Sequence, residues 1–155
     1  MNPDDKKTAL RMIPYGLYVL TAEHDGNTAA ATVNWVTQKS FDPPLVAIGV
    51  KADSGAYEVL KAAGHFALNM LGKGQQGAAF SFFKSAERDG ATGAPILASA
   101  PAAVECKVAE IVERGDHHIV IGEVVGATVN TAPEGRPDEA ILEMKELGDN
   151  VFYGG

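Results

Sequence analysis

A single cysteine, Cys106, leaves no partner for an intrachain disulfide and no second thiolate for a metal site built within one chain. It falls in an apolar alternation with Val104 and Val108, which marks a structural core thiol rather than a nucleophile. Positive charge is also scarce. Lys and Arg number 13 against 20 Asp and Glu, a net charge of -7, with no basic run and no aromatic interleaving, so neither nucleic acid nor an anionic membrane surface is an expected partner. No segment approaches the roughly 20 apolar residues that a membrane helix requires. Met1 to Lys7 lacks the apolar centre of a secretory leader, so a cytoplasmic location is expected. There is no Gly-x-Ser-x-Gly elbow and no clear pair of carboxylates, which removes the usual grounds for acyl transfer and glycoside hydrolysis. No metal site is expected either, because His117 and His118 are adjacent in a strand and point to opposite faces.

What is present is an ordinary globular mixture, 46% apolar and 21% charged, long enough at 155 residues for one domain with its own core. Residues 1–155 are therefore read as a single domain. Asn2 suits an N-cap, Pro3 the first helical position, and Asp4 and Asp5 the positive end of a helix that Pro14 must terminate. Strands over Gly16 to Glu23 and from Thr28 flank the turn signal Asp25-Gly26, which predicts a hairpin. Leu45 to Val50 is a continuous apolar run, read as a strand buried on both faces. Ser54 and Gly64 bracket a helix. His65 to Leu71 reads as a strand, Gln75 to Phe83 as a short helix and Lys84 to Pro101 as a loop. Val104 to Arg114 and His117 to Val129 form a second hairpin across Gly115-Asp116, and Ile141 to Tyr153 is expected to supply one or two last short strands. Strands joined by tight turns, rather than by helical crossovers, predict a mainly antiparallel sheet closed as a barrel.

The stretch from Thr28 to Pro44 carries the functional signal. It begins as a β-branched strand, then presents Thr32, Asn34, Thr37, Gln38 and Ser40 around the chain's only tryptophan, Trp35. A strand buried for stability alone does not need so many neutral hydrogen-bonding groups, because each costs free energy in a core unless it finds a partner. Such a surface suits a flat ligand with polar edges. Lys51 and Ser54, before the second helix, combine a helix N-terminus, a hydroxyl donor and a positive charge, which suits a phosphate. The plainer reading is a capping serine beside a solvated lysine. Gly72-Lys73-Gly74-Gln75-Gln76-Gly77 matches G-x-G-x-x-G, but that fingerprint needs a βαβ unit and an acidic residue ending its second strand, whereas Glu87 and Asp89 fall in the predicted loop. It reads as a flexible helix entry. Trp35 itself is by default a core aromatic.

Val33-Asn34-Trp35-Val36-Thr37-Gln38-Lys39-Ser40-Phe41-Asp42-Pro43-Pro44-Leu45-Val46, then Lys51 to Tyr57, then Phe66-Ala67-Leu68-Asn69-Met70-Leu71, resemble the flavin reductase-like, FMN-binding split-barrel family. The likeness continues through Gly115-Asp116-His117, Ile121-Gly122-Glu123-Val124 and Tyr153-Gly154-Gly155. It implies a six-stranded antiparallel Greek-key split barrel with peripheral helices, binding FMN or FAD. It implies that Thr32, Val33, Asn34, Trp35, Val36, Thr37 and Gln38 meet the pyrimidine edge of the flavin, with Ser40 nearby. The segment containing Lys51, Ser54 and Tyr57 would hold the phosphate, Asn69 and Leu71 would line the ribityl side, and His117 would stand at the rim as the catalytic contact to flavin or nicotinamide. The activity so implied is an NADH- or NADPH-dependent flavin reductase, a homodimer passing electrons to free flavin, a partner protein or ferric chelates. The alternative is a non-enzymatic FMN-binding electron carrier without a nicotinamide site. A haem- or pyridoxamine-binding split barrel is disfavoured by the Asn34 to Pro44 and Gly115 to Glu123 segments.

Overall fold

Local signals decide where the elements begin and end. In the computed structural model, which describes residues 1–80, 86–87 and 91–155, Asn2 caps helix α1 (Pro3–Arg11) by accepting from the Asp4 and Asp5 amides at 2.9 and 3.1 Å. Strands β1 (Tyr18–His24) and β2 (Asn27–Val33) form the first hairpin, and β3 (Val36–Ser40) pairs with β4 (Leu45–Lys51). Helix α2 (Gly55–Ala63) ends at Gly64, whose φ of 74° is the left-handed conformation that a helix end favours. Then come β5 (His65–Met70), the short α3 (Gln76–Phe80), a small ribbon of β6 (Ala86–Glu87) with β7 (Ile96–Leu97), and the long hairpin of β8 (Ala102–Val112) and β9 (His117–Val129). The end of the predicted helix beyond Phe80 and the loop positions around Asp89 lie outside the described residues.

The main sheet runs β2-β1-β5-β8-β9-β4-β3, antiparallel at every pairing. Its two edge strands, β2 and β3, are separated in the chain only by Asn34 and Trp35. The Gly49 amide of β4 donates to the Trp35 carbonyl at 2.9 Å. The edges therefore meet at this corner and the sheet closes. Taken as one bent strand, β2 and β3 give the six strands expected of the split barrel; taken separately they give seven.

Period-two alternation sorts the side chains. Leu20, Ile48, Phe66, Leu68, Cys106 and Val120 point inward, and Ala56, Tyr57 and Leu60 of α2 complete this core. Fully burying a residue such as Phe66 contributes about 1.5–3 kcal/mol. On the opposite face, an outer layer, Val19 of β1 with the flanking Leu17 and Leu71 packs against Ala79, Leu97, Ala100 and Leu142, and Ala67 of β5 packs with Ala94, Ile96 and Ala103.

Three sequence expectations are corrected here. Leu45–Lys51 is buried only at Ile48 and Val50, because the near end of β4 opens onto a surface groove. Residues 141–153 form no strand. Leu142 is instead laced between Leu17 and Leu71 by single backbone bonds of 2.8 Å each way, followed by a 3-10 turn at Met144–Leu147. The Gly72 to Gly77 run is not loose. Gln75 accepts from the Gly72 amide at 2.7 Å and donates to the Ser99 carbonyl, while Lys73 pairs with Glu146 at 3.0 Å.

Candidate functional site

The first residue of β9 is His117, and its register sets it opposite Lys51, the last residue of β4. The Ala52 amide donates to the Asp116 carbonyl at 2.9 Å, tying the turn that starts β9 to the turn that starts α2. Two candidates far apart in sequence thus share one rim. Trp35 at the barrel corner extends it, its ring lying edge-on to His117 with centroids 4.6 Å apart. The indole fits because position 49 is glycine: a Cβ there would stand 3.1 Å from Trp35 Cε3, tighter than ordinary contact.

Tyr153 closes the rim from the far end of the chain. Its ring is 5.5 Å from Trp35 and 5.6 Å from His117, and its carbonyl accepts from Asn34 Nδ2 at 3.0 Å. The His117 ring is held at both nitrogens, Nδ1 2.9 Å from Asp116 Oδ1 and Nε2 2.6 Å from the Tyr153 hydroxyl. The adjacent imidazole, through its hydrogen bond and then its charge, keeps the Asp116 carboxyl below the ordinary carboxylate range. Asp116 and Tyr153 were not among the sequence candidates, although both stand in the segments that carry the resemblance. Trp35 Nε1 is buried with no hydrogen-bond partner among the described residues, although leaving such a donor unpaired costs about 1–3 kcal/mol. Gly154 lies over it, its Cβ position 3.6 Å away.

At α2, Ser54 is the cap: its hydroxyl oxygen accepts from the Tyr57 amide at 3.1 Å. Its one proton goes to the Lys51 carbonyl at 2.7 Å, so the hydroxyl has none left for an anion. The Gly55 and Ala56 amides make no hydrogen bond among the described residues, and a Cβ built on Gly55 would meet nothing within 4 Å. These amides, at the positive helix end, are the donors an anion would meet. Lys51 Nζ sits 3.1 Å from Asp53, and the hydrogen bond it donates to that carboxylate, then the carboxylate's charge, hold the ammonium above its ordinary range. Both groups are exposed, so the pair is weak.

The remaining candidates scatter. Thr32 donates to the Ala79 carbonyl at 2.7 Å, under α3, and Val33 belongs to the barrel core. Val36, Thr37 and Gln38 line the groove beside Tyr18, Leu68 and Met70, and half-buried Ser40 lies at the β3 register shift. Tyr57 is a core residue. Its hydroxyl donates to Glu113 at 2.9 Å, and Glu113 also receives Lys61 at 2.7 Å, which with Tyr57 lowers that carboxyl. Asn69 and Leu71 lie in the outer layer and share no described contact with Trp35, Lys51, His117 or Tyr153. Asn69 donates to the Val19 carbonyl at 2.9 Å and to Thr21 Oγ1 at 3.2 Å, and accepts from the Leu97 amide at 2.8 Å. Leu71 is fully buried. Cys106 is buried, and that burial pushes its thiol up to about 12. His118 faces Tyr57, away from His117, at 5.1 Å.

Residues 10–143 match the family described as flavin reductase like domain. A probable flavin reductase of Rhizobium meliloti (strain 1021) is 33% identical over 132 residues, 79% of this chain and 42% of that protein. The reductase component of a 4-nitrophenol 4-monooxygenase/4-nitrocatechol 2-monooxygenase of Rhodococcus opacus is 32% identical over 123 residues, 75% of this chain and 66% of that protein. This chain thus spans less than two thirds of the length of either relative. The solved NADH:FAD oxidoreductase of Streptomyces globisporus C-1027 superposes with a TM-score of 0.73 at 33% identity, over 83% of this chain and 86% of that one. The same oxidoreductase in complex with NAD and FAD fragments gives 0.72 at 30% identity, over 89% and 97%.

Proposed function

This chain belongs to the flavin reductase-like family, and on that premise we propose that it is an NAD(P)H-dependent flavin reductase that binds FMN. The observation that carries the reading is the single rim on which a helix N-terminus with two unpaired amides, Gly55 and Ala56, meets the buried and unpartnered Trp35 Nε1 and the doubly anchored His117. One end of that rim fits a phosphate and the other a flat aromatic group with carbonyl edges. Bound flavin supplies the two-electron acceptor chemistry, and the protein's part is orientation and electrostatics. The Gly55 and Ala56 amides with Lys51 would hold the phosphate, Trp35 Nε1 would donate to a ring acceptor once Gly154, which lies over it, moves aside, and His117 would stand where the nicotinamide arrives. The electrons pass to free flavin, a ferric chelate or a partner protein; the relative that serves as a monooxygenase reductase component supports the last.

Anaerobic mixing of the flavin-loaded protein with NADH or NADPH tests this. Bleaching of the visible flavin band is expected; a protein that keeps its flavin but resists bleaching by both nucleotides is the FMN carrier instead. The groove lined by Tyr18, Val36, Leu68, Met70, Val104 and Val124 is apolar and open to solvent, and we propose that it is covered in a homodimer. Sedimentation equilibrium checks this, and a monomer that retains flavin at nanomolar protein would refute it.

A further inference from the structure

Neither His117 nor Asp116 explains why the imidazole should hold one orientation. The Asp116 side chain is 93% exposed while that of His117 is 14% exposed, and an ion pair with one partner so open to water fixes little. The second anchor is the Tyr153 hydroxyl, 2.6 Å from Nε2. Tyr153 is itself fixed at two further points, by the Asn34 amide on its carbonyl and by its ring against Trp35. With Asp116 accepting at Nδ1, the proton of a neutral imidazole sits on Nδ1, so Nε2 is the acceptor and the Tyr153 hydroxyl the donor.

We propose that Tyr153 is a positioning residue for His117, holding the imidazole in the Nδ1–H tautomer with its edge presented to the nicotinamide nucleotide. This rests on the reading of His117 as the nicotinamide contact. Asp116, accepting at Nδ1, and Tyr153, donating to Nε2, select the tautomer together; Tyr153 also fixes the rotation, and Asn34 fixes Tyr153. The polar residue at the corner, Asn34, therefore acts through the tyrosine carbonyl.

Tyr153→Phe keeps the ring contacts with Trp35 and His117 and removes only the hydroxyl, so the fold is retained. The test has two readouts. Ring nitrogen-15 shifts of His117, measured without flavin or nucleotide, should show Nδ1 protonated and Nε2 bare in the parent protein and a tautomer mixture in the variant. Anaerobic reduction of the FMN-loaded variant should need about three- to tenfold more NADH for half-maximal rate, the size of one neutral hydrogen bond, with FMN affinity unchanged. Unchanged nitrogen shifts overturn the proposal whatever the kinetics. Shifted nitrogens with unchanged nucleotide dependence also overturn it, because the bond then serves only to dock the tail. A parent protein that no nucleotide reduces overturns the reductase reading, while the nitrogen shifts still report whether Tyr153 orders the ring.

Discussion

Two polar clusters on this barrel were built from similar residues and ended differently. At the crossing of β1, β5 and β7, Asn69 bonds to Val19, Thr21 and Leu97, and Thr21 in turn donates to the Pro95 carbonyl. Every group is paired within the chain. At the corner between β2 and β3, the Asn34 side chain makes one bond among the described residues, to Tyr153, and Trp35 Nε1 makes none. A saturated amide welds strands together; a buried donor without a partner is a place where an acceptor from outside gains free energy on arrival. Both asparagines read alike in sequence, and only the second belongs to the rim.

The largest effect that can test this contrast is Asn69→Leu. Leaving the Val19 carbonyl and Leu97 amide unpaired in a dry layer should destabilise the fold by about 2–4 kcal/mol, read from urea denaturation. The folded fraction should bind flavin as before. A variant that keeps its stability but loses flavin would put Asn69 back in the pocket and break the contrast. Next comes His117→Ala, which removes a rim residue and not a welded one. It should stay yellow, lose little stability and be reduced by nicotinamide about tenfold more slowly, a barrier change near 1.4 kcal/mol. Equal reduction rates would move the nicotinamide site elsewhere. The smallest expected effect is Asp53→Asn. Freeing Lys51 from a competing carboxylate should tighten FMN about two- to threefold at low salt and leave riboflavin, which lacks the phosphate, unaffected. If riboflavin responds equally, the helix end does not hold the phosphate.

The contrast also marks what can be read from a sequence. Caps and hairpin turns were legible because their determinants lie within a few residues: Asn2, Ser54, Gly64 and Asp25-Gly26 each do locally what their chemistry prescribes. His117 and His118 were correctly placed on opposite faces by strand periodicity alone. Asn69 was not legible, because its three partners come from β1 and β7 and nothing beside it in the chain reveals them. Residues 141–153 misled for a related reason. Their apolar, β-prone pattern is satisfied by burying Leu142 between two distant segments, not by a ladder. The polar run from Thr32 to Ser40 read as one surface, whereas the bend at Asn34 and Trp35 sends its two halves to different sides of the barrel.

That bend also bears on the order in which the molecule assembles. The β1–β2 and β8–β9 hairpins close short loops and should form first, whereas the β1–β5 and β4–β9 pairings join distant parts of the chain. The rim around Trp35 exists only after both edges of the sheet have reached the same corner. A ligand held there recognises the closed chain and nothing that precedes it, so it has no means of hastening closure. Flavin should lengthen the lifetime of the native state against unfolding and leave the rate at which that state forms unchanged.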